Sequence, residues 1–506
     1  MDYSATLQDN INSLSYFLPE LILTGVILVL IVADLILKKE RSPWTSFVAL
    51  AGLIGAFVAV YQQYDLGTRS IFNNMLVVDP FALFFKLLFL ASTILVIFLS
   101  IGSVELAGRQ VGEYFTLIVA TTLGMFLMAS ATNLLTIFIS IEMVSITSFI
   151  LAAYLKTRRR SSEAGLKYAI YGAFSSGLML YGISLIYGLT GTLNIYEISE
   201  ALAATNPDRL TLFVAVILIL AGFGYKIAAV PFHFWAPDVY EGAPTPVTAF
   251  FSIGPKAAGF ALLIRFFNVA LVSSGTNGDA SDWYAVTGLD WTHLLAVVSA
   301  ATMTLGNLIA IVQRNVKRLL AYSSIAHAGY ALMGVVVFSK EGIYATMFYL
   351  VVYYLMNLGA FLVVIVNQEL VRSESIDDYK GLVWKAPIPA VAMGVFLFSL
   401  TGLPPTGGFV GKFYLFAALI NGGQAYYWLA VVGILNSVVS LYYYARILKA
   451  MYFDKPEDEE VATGLTVSPY YVTLLAVLVI PTIMLGVYWA PLADLANFSV
   501  EFLKTL

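Results

Sequence analysis

Apolar residues in this chain gather into runs instead of alternating with polar ones. A run such as "LILTGVILVLIVADLIL" at 21–37 is apolar on every side of a helix, which is the pattern of a helix surrounded by lipid or by other apolar helices. Runs near 20 residues recur to residue 489, and about 20 apolar residues cross a hydrocarbon core of about 30 Å. The pattern predicts an all-α polytopic membrane protein of about 14 spans. They fall at about 16–37, 43–61, 80–101, 113–130, 133–155, 163–188, 210–233, 244–268, 291–312, 319–338, 342–366, 388–418, 426–445 and 467–489. The opening "MDYSATLQDN" has no basic region or early cleavage pattern, so the first run is expected to be a retained helix.

Composition agrees. Of 506 residues, 60% are hydrophobic and 11% charged, with a mean hydropathy of +0.85; a soluble domain carries about a quarter charged residues. That excludes a soluble or nucleic-acid-binding protein. The net charge of −4 matters less than where the cations lie. Of the 27 Lys and Arg, 17 fall in one alternating set of loops, 4 in the other, and 6 inside spans. Basic loops stay on the cytoplasmic side, so both termini are expected on the outer side. There is no cysteine, which removes disulfides and thiolate-held clusters. Three histidines are too few for a His-rich metal site.

The six cations inside spans are Lys86, Lys167, Lys226, Lys256, Arg265 and Lys412, and Glu142 is the clearest acid among them. An unpaired charge at mid-bilayer costs at least about 2.5–3.5 kcal/mol, so such groups face the protein interior and mark a path or a pair. Lys86, near Asp79, is expected to snorkel to the interface. Lys167 sits one turn from Glu163, which reads as a helical ion pair, and Arg265 reads as structural. The others resist such readings. Glu142 has 28 uncharged residues before it and 13 after, and Lys226 lies 17 residues from Arg209 and 12 from Asp238. Four charges on separate helices, three of them lysines, are improbable as packing alone. A lysine out of water holds its proton less tightly, and a carboxylate brought near reverses that. Glu142 and Lys226 together therefore read as an element that takes up and releases protons.

Two spans carry helix breakers. "YKIAAVPFHFWAPDVYEGAPTP" sets Pro231 five residues after Lys226, and "LTGLPPTGGFVGK" brings Pro404 and Pro405 up to Lys412. Broken backbone at membrane depth persists only inside protein or beside water. Spans 4–8 and 9–13 each place the interruption fourth of five; five is odd, so the second unit starts from the opposite side, as in inverted-repeat transporters. The expected division is 1–109, 110–275, 276–455 and 456–506. His233, at i+7 from Lys226, is expected two turns along the same helix face, and His327 in span 10 belongs to the second unit. Each is as readily a packing histidine as a relay member.

The stretches "KIAAVPFHFWAPDVYEGAPTPVTAFFS", "VKRLLAYSSIAHAGY" and "LTGLPPTGGFVGKFYLF" resemble the antiporter-like membrane subunits of respiratory complex I, the proton-translocating NADH:quinone oxidoreductase. The resemblance runs from about residue 110 to 455. It implies 14 helices with two inverted five-helix repeats, and a proton channel whose residues fall by motif on Glu142, Lys167, Lys226, Lys256 and Lys412. Lys412, where one paralogue has glutamate, and the chain length favour the N-type subunit. The resemblance implies a cell membrane or thylakoid-type location. Neighbouring membrane-arm subunits and a hydrophilic arm are the implied partners. FMN, iron–sulfur clusters and quinone are expected in those partners, with no cofactor or metal in this chain. The rival reading is a stand-alone or Mrp-type cation/proton antiporter, in which Na⁺ selectivity would favour more channel carboxylates than this chain offers.

Overall fold

The structure, a computed structural model, describes residues 3–37, 43–106, 111–205, 207–274, 283–285, 290–371, 373–455 and 466–501. Lys38, Lys39, Arg41, Arg109, Arg372, Lys504 and the acidic loop at 456–460, all used in the loop and domain expectations, lie outside the described residues. Helices dominate. In chain order they are α1 (Tyr3–Tyr16), α2 (Leu18–Leu37), α3 (Pro43–Gln62), α4 (Pro80–Gly102), α5 (Val111–Ser130), α6 (Leu134–Ala152) and α7 (Arg159–Thr190). Next come α8 (Ile195–Thr205), α9 (Arg209–Ile227), α10 (Trp235–Gly242), α11 (Thr245–Phe251), α12 (Gly254–Ala270), α13 (Trp291–Ile311) and α14 (Val316–Val336). The last are α15 (Lys340–Val371), α16 (Leu382–Lys385), α17 (Pro387–Thr401), α18 (Gly407–Asn421), α19 (Tyr427–Tyr452), α20 (Pro469–Val487) and α21 (Ala490–Glu501). Two short antiparallel hairpins, Arg69–Ile71 with Leu76–Val78 and Val272–Ser274 with Trp283–Ala285, and four short 3-10 helices, Gln63–Leu66, Val104–Leu106, Ile376–Tyr379 and Gln424–Tyr426, complete the described elements.

Among the described residues, 13 helical stretches are long and apolar enough to cross a membrane, α11 and α12 counting as one. The shorter apolar α17 and α18 together fill the remaining expected span, 388–418. The count of about 14 therefore holds. Inside and outside share one composition but differ in surroundings. The α11–α12 stretch is wholly buried and α14 and α15 nearly so, while α2, α3, α7, α19 and α20 present most of their surface outward. Ile36, Phe47, Tyr181, Val438 and Val487 are exposed apolar side chains on that outer ring, as lipid-facing helices require.

The breaks differ from the expected ones. Span 7 was expected to run through Pro231, but α9 stops at Ile227, where Ala228 takes the left-handed conformation (φ 58°). Pro231 lies in the turn beyond. Span 8 was expected to be continuous, yet α11 ends at Phe251 and α12 begins at Gly254. Pro255 explains this: it lacks an N–H, and its ring excludes the carbonyl four residues earlier, that of Phe251.

Two buried ion pairs tie the early helices to the bundle. Lys86 does not snorkel; its ammonium turns inward to Glu20 at 2.6 Å, both side chains buried, and joins α4 to α2. Arg265 is structural as expected. Its guanidinium grips Asp79 through both oxygens (2.8 and 2.9 Å) and donates to the Ala129 carbonyl at 3.1 Å. Asp79 also caps α4, accepting from the Ala82 N–H at 2.7 Å. Asp79→Asn keeps the cap but strands a buried cation. The variant should lose on the order of 3–5 kcal/mol, read as a lowered thermal midpoint of the solubilised protein. Lys449→Gln, at an exposed pair 3.5 Å from Asp454, should cost under about 1 kcal/mol. Equal effects would contradict this assignment.

Candidate functional site

Each of the three breaks holds one lysine. Lys226 occupies the last turn of α9, where the outward carbonyls of a helix end favour a cation, and its Nζ donates to Ser145 Oγ of α6 at 3.1 Å. Lys256 stands in the first turn of α12, where the helix dipole opposes a cation. Ser324 of α14 offsets this, accepting through its hydroxyl (2.6 Å) and its carbonyl (3.1 Å), and the Tyr240 ring lies 5.7 Å away. Lys412, on α18, donates across the break to the carbonyl of Thr401, the last residue of α17, at 2.9 Å. It also donates to Ser437 Oγ at 3.1 Å and sits 4.3 Å above the Tyr330 ring. Gly402, at φ 90°, makes that approach possible, since a Cβ there would lie 2.8 Å from Lys412 Cδ.

All three lysines are buried. Among the described residues no carboxylate oxygen lies within 4.0 Å of any of their ammonium groups. That separates them from the other buried cations. Lys86 has Glu20, Arg265 has Asp79, and Lys317, read from the sequence as a loop residue, is buried with Glu374 at 3.2 Å and the Ala243 carbonyl at 2.8 Å.

Glu142 is half-buried on α6 and accepts a short hydrogen bond from the Ser176 hydroxyl of α7. It lies one turn before Ser145, the hydroxyl that holds Lys226, and does not itself pair with that lysine. Lys167 stands apart. It is half-exposed and pairs with Glu163 at 2.8 Å and Asp238 at 2.6 Å, nine residues, or about 13 Å, along α7 from Ser176. His233 is not on the Lys226 helix, which ended six residues earlier. It sits buried in the turn before α10 with Nδ1 unpartnered among the described residues, and no hydrogen bond or ion pair joins it to Lys226 there.

His327 lies on α14 between the residues that contact the other two lysines, Ser324 and Tyr330. Its Nδ1 faces the Tyr349 hydroxyl of α15 at 2.5 Å and its Nε2 the Tyr444 hydroxyl of α19 at 3.3 Å. Ser324, His327 and Tyr330 follow at spacings of three on α14 and so share one face. One end of that face holds Lys256. At the other end, the Tyr330 hydroxyl meets Ser437 Oγ at 3.3 Å, the same oxygen that accepts from Lys412. Six helical residues span about 9 Å. Ser145, Ser176, Ser324, Tyr330 and Ser437 were missed by sequence reasoning. The signal available was a polar residue at every third position of "SIAHAGY".

Residues 131–440, which contain the line from Glu142 to Lys412, match the family described as "NADH:quinone oxidoreductase/Mrp antiporter, TM". A relative from Chloroherpeton thalassium, named NADH-quinone oxidoreductase subunit N 2, is 50% identical over 492 residues, covering 97% of this chain and 95% of its own length. One from Anaeromyxobacter sp., named subunit N, is 44% identical and covers 98% of each chain. The chain belongs to the subunit N family of NADH-quinone oxidoreductase. Among solved structures, a chain of respiratory complex I from Thermus thermophilus with bound aureothin matches at 29% identity and a TM-score of 0.72, covering 93% of this chain and 98% of that one. A chain of the Mrp complex from Dietzia sp. matches at 22% identity and a TM-score of 0.80, covering 96% and 97%; that likeness is one of fold.

At the bundle end that carries the "KTRRR" turn, a cavity of about 740 Å³ is lined by Glu105, Arg158, Arg160, Glu241, Lys317 and Glu374, among others. A smaller one of about 180 Å³ adjoins it at Lys167, Asp238 and Arg318. Together they form a charged vestibule. Glu105 anchors it, accepting from the Thr245 N–H that opens α11 (2.7 Å) and from Arg158 (2.6 Å). Burial pushes the Glu105 carboxyl up, but the Lys317 ammonium, the Thr245 N–H and Arg158 outweigh burial and hold it below its ordinary value of 4.5. A carboxyl lowered on folding stabilises above its unfolded value and loses that contribution as pH falls through the folded one. Glu105→Gln should therefore lower the thermal midpoint at pH 7, by about 2 kcal/mol of stability. The difference from the parent should shrink as pH falls below 4.5. A difference unchanged across that range would contradict the assignment.

Proposed function

We propose that this chain is the proton-translocating N subunit in the membrane arm of NADH:quinone oxidoreductase, with Glu142, Lys226, Lys256 and Lys412 as its proton relay. The observation that carries this reading is the set of three buried lysines at helix breaks without carboxylate partners among the described residues, two of them at opposite ends of the Ser324–His327–Tyr330 face of α14. Hydroxyl and imidazole groups both donate and accept, so that face can pass a proton without moving a charged side chain far. The likeness of nearly the whole chain to subunit N relatives supports this reading over the stand-alone antiporter.

In this reading Lys167 works at the vestibule, where protons gather beside Asp238, and His233 flanks the break that holds Lys226. Residues 110–275 and 276–455 form the two inverted repeats, preceded by 1–109 and followed by 456–506. Both termini lie on the outer side of a bacterial cytoplasmic membrane. NADH, FMN, iron–sulfur clusters and quinone belong to partner subunits. The chemistry of this chain is then proton movement alone: its lysines and hydroxyls hold and hand on protons that redox work elsewhere drives.

The test is at Lys226. Lys226→Ala in the assembled complex should depress coupled proton pumping on the order of a hundredfold, the scale of a lost proton-transfer group. Lys226→Arg keeps the charge but cannot release a proton at accessible pH, so it should resemble alanine. A structural cation predicts the reverse, with arginine tolerated. An assembled Lys226→Arg complex that pumps normally removes Lys226 from the relay.

A further inference from the structure

The half-helix α10 has an acidic side with three cations around it. Asp238 binds Lys167 of α7 at 2.6 Å through one oxygen and Arg318 of α14 at 2.7 Å through the other. One turn on, Glu241 binds Arg318 at 2.9 Å and Arg160 at 3.6 Å. At the other end of α10, the Trp235 indole N–H donates to the Tyr225 carbonyl at 3.0 Å. Tyr225 is the residue before Lys226. Trp235 also stacks on Tyr168, with ring centres 4.3 Å apart and planes within 16°, and Tyr168 is the residue after Lys167. The loop closes when the Tyr225 hydroxyl donates to the Tyr168 carbonyl at 2.9 Å.

These contacts form a ring of bonded and stacked groups: Lys167, Asp238, α10, Trp235, Tyr225, Tyr168 and back to Lys167. Each member outside the ion pair is buried, and stacked aromatic side chains transmit displacement because a packed interior has few alternative arrangements. The last turn of α9 has no helical continuation to hold it, since Ala228 turns away into the left-handed region. The turn is closed by the Ala228 N–H on the Tyr225 carbonyl (3.1 Å) and the Ala229 N–H on the Gly224 carbonyl (2.8 Å), and the Trp235 indole adds a bond to the Tyr225 carbonyl from outside.

We propose that Asp238 is a positioning residue for Lys226: with its carboxylate clasped by Lys167 and Arg318, it seats α10 so that Trp235 fixes the end of α9. The charge state of the vestibule then sets where the buried lysine stands, although Asp238 does not touch it. Glu241 supports the seat with a looser bridge between the same two helices, sharing Arg318 of α14 and reaching Arg160 of α7 at 3.6 Å, whereas Asp238 holds both of its cations within 2.7 Å. The consequence for pumping rests on Lys226 being a relay site; the positioning does not, and the experiment reads position without turnover.

The chain has no cysteine, so Lys226→Cys introduces its sole thiol. In the solubilised, resting complex, the rate at which a small methanethiosulfonate labels that thiol is followed by mass spectrometry of this subunit. Ala310→Cys, buried on α13, serves as the control position. Adding Asp238→Asn should raise the rate at 226 at least fivefold and leave the rate at 310 unchanged, and Asp238→Glu should bring the rate at 226 back below half the asparagine value. If Asp238→Asn does not assemble, Trp235→Phe, which keeps a stacked ring and removes the N–H, is judged by the same criteria. A smaller rise at 226, an equal rise at 310, or no recovery in Asp238→Glu overturns the proposal. Such a result leaves the relay reading standing, whereas a normally pumping Lys226→Arg complex would remove the relay reading and leave the positioning intact.

Discussion

A cation buried in a membrane protein needs compensation, and this chain supplies it in two ways. Lys86, Arg265 and Lys317 each have a carboxylate within 3.2 Å. Lys226, Lys256 and Lys412 have serine hydroxyls, main-chain carbonyls and tyrosine rings. A carboxylate partner locks the charge, because removing the proton would strand the acid. Neutral acceptors do not: they serve an ammonium, and a hydroxyl can turn to donate to a neutral amine. The helix breaks follow from this. A helix end leaves carbonyls without an intrahelical partner, and Lys412 borrows such a carbonyl at Thr401, whereas Lys256 shares the Ser324 carbonyl within α14 and takes its closer bond from the Ser324 hydroxyl.

The same constraint explains the crowding of small polar and aromatic side chains between the lysines. On α14, His327 meets the hydroxyls of Tyr349 of α15 and Tyr444 of α19, Ser323 shares a short bond with that Tyr444 hydroxyl, and Tyr330 meets Ser437. Such groups would be costly in an apolar bundle if unpaired. The vestibule shows the other regime: apart from the buried Lys317, its named acids and bases reach the surface, and they are paired with one another and hold the mouth and α10 in place.

Much of this was legible in the sequence, because lipid imposes its demand on every turn. The spans and their count followed from apolar runs, and Lys412's break from Pro404 and Pro405. The break at Lys256 was written in "SIGP" but hidden by an unbroken apolar run on both sides. The end of α9 was not legible, since Ala228 carries no signal for a left-handed backbone; tertiary contacts hold it there. The burial of Lys86 and Lys317 depended on Glu20 and Glu374, acids 66 and 57 residues away. The separation of Lys167 from Glu142 likewise came from Asp238, 71 residues on. The short α1, α8 and α21 were missed because they fall below span length.

In the relay proposed above, the lysines without carboxylates change protonation during turnover and the paired ones do not. Isotope-edited infrared difference spectroscopy of the assembled complex with ¹⁵N-labelled lysine measures this directly, comparing the resting state with steady quinone reduction. The lysine ammonium bending bands should change during turnover, with a change that diminishes in Lys256→Met and persists undiminished in Lys86→Met. A spectrum with no lysine change, or one in which Lys86→Met and not Lys256→Met removes the signal, would contradict it.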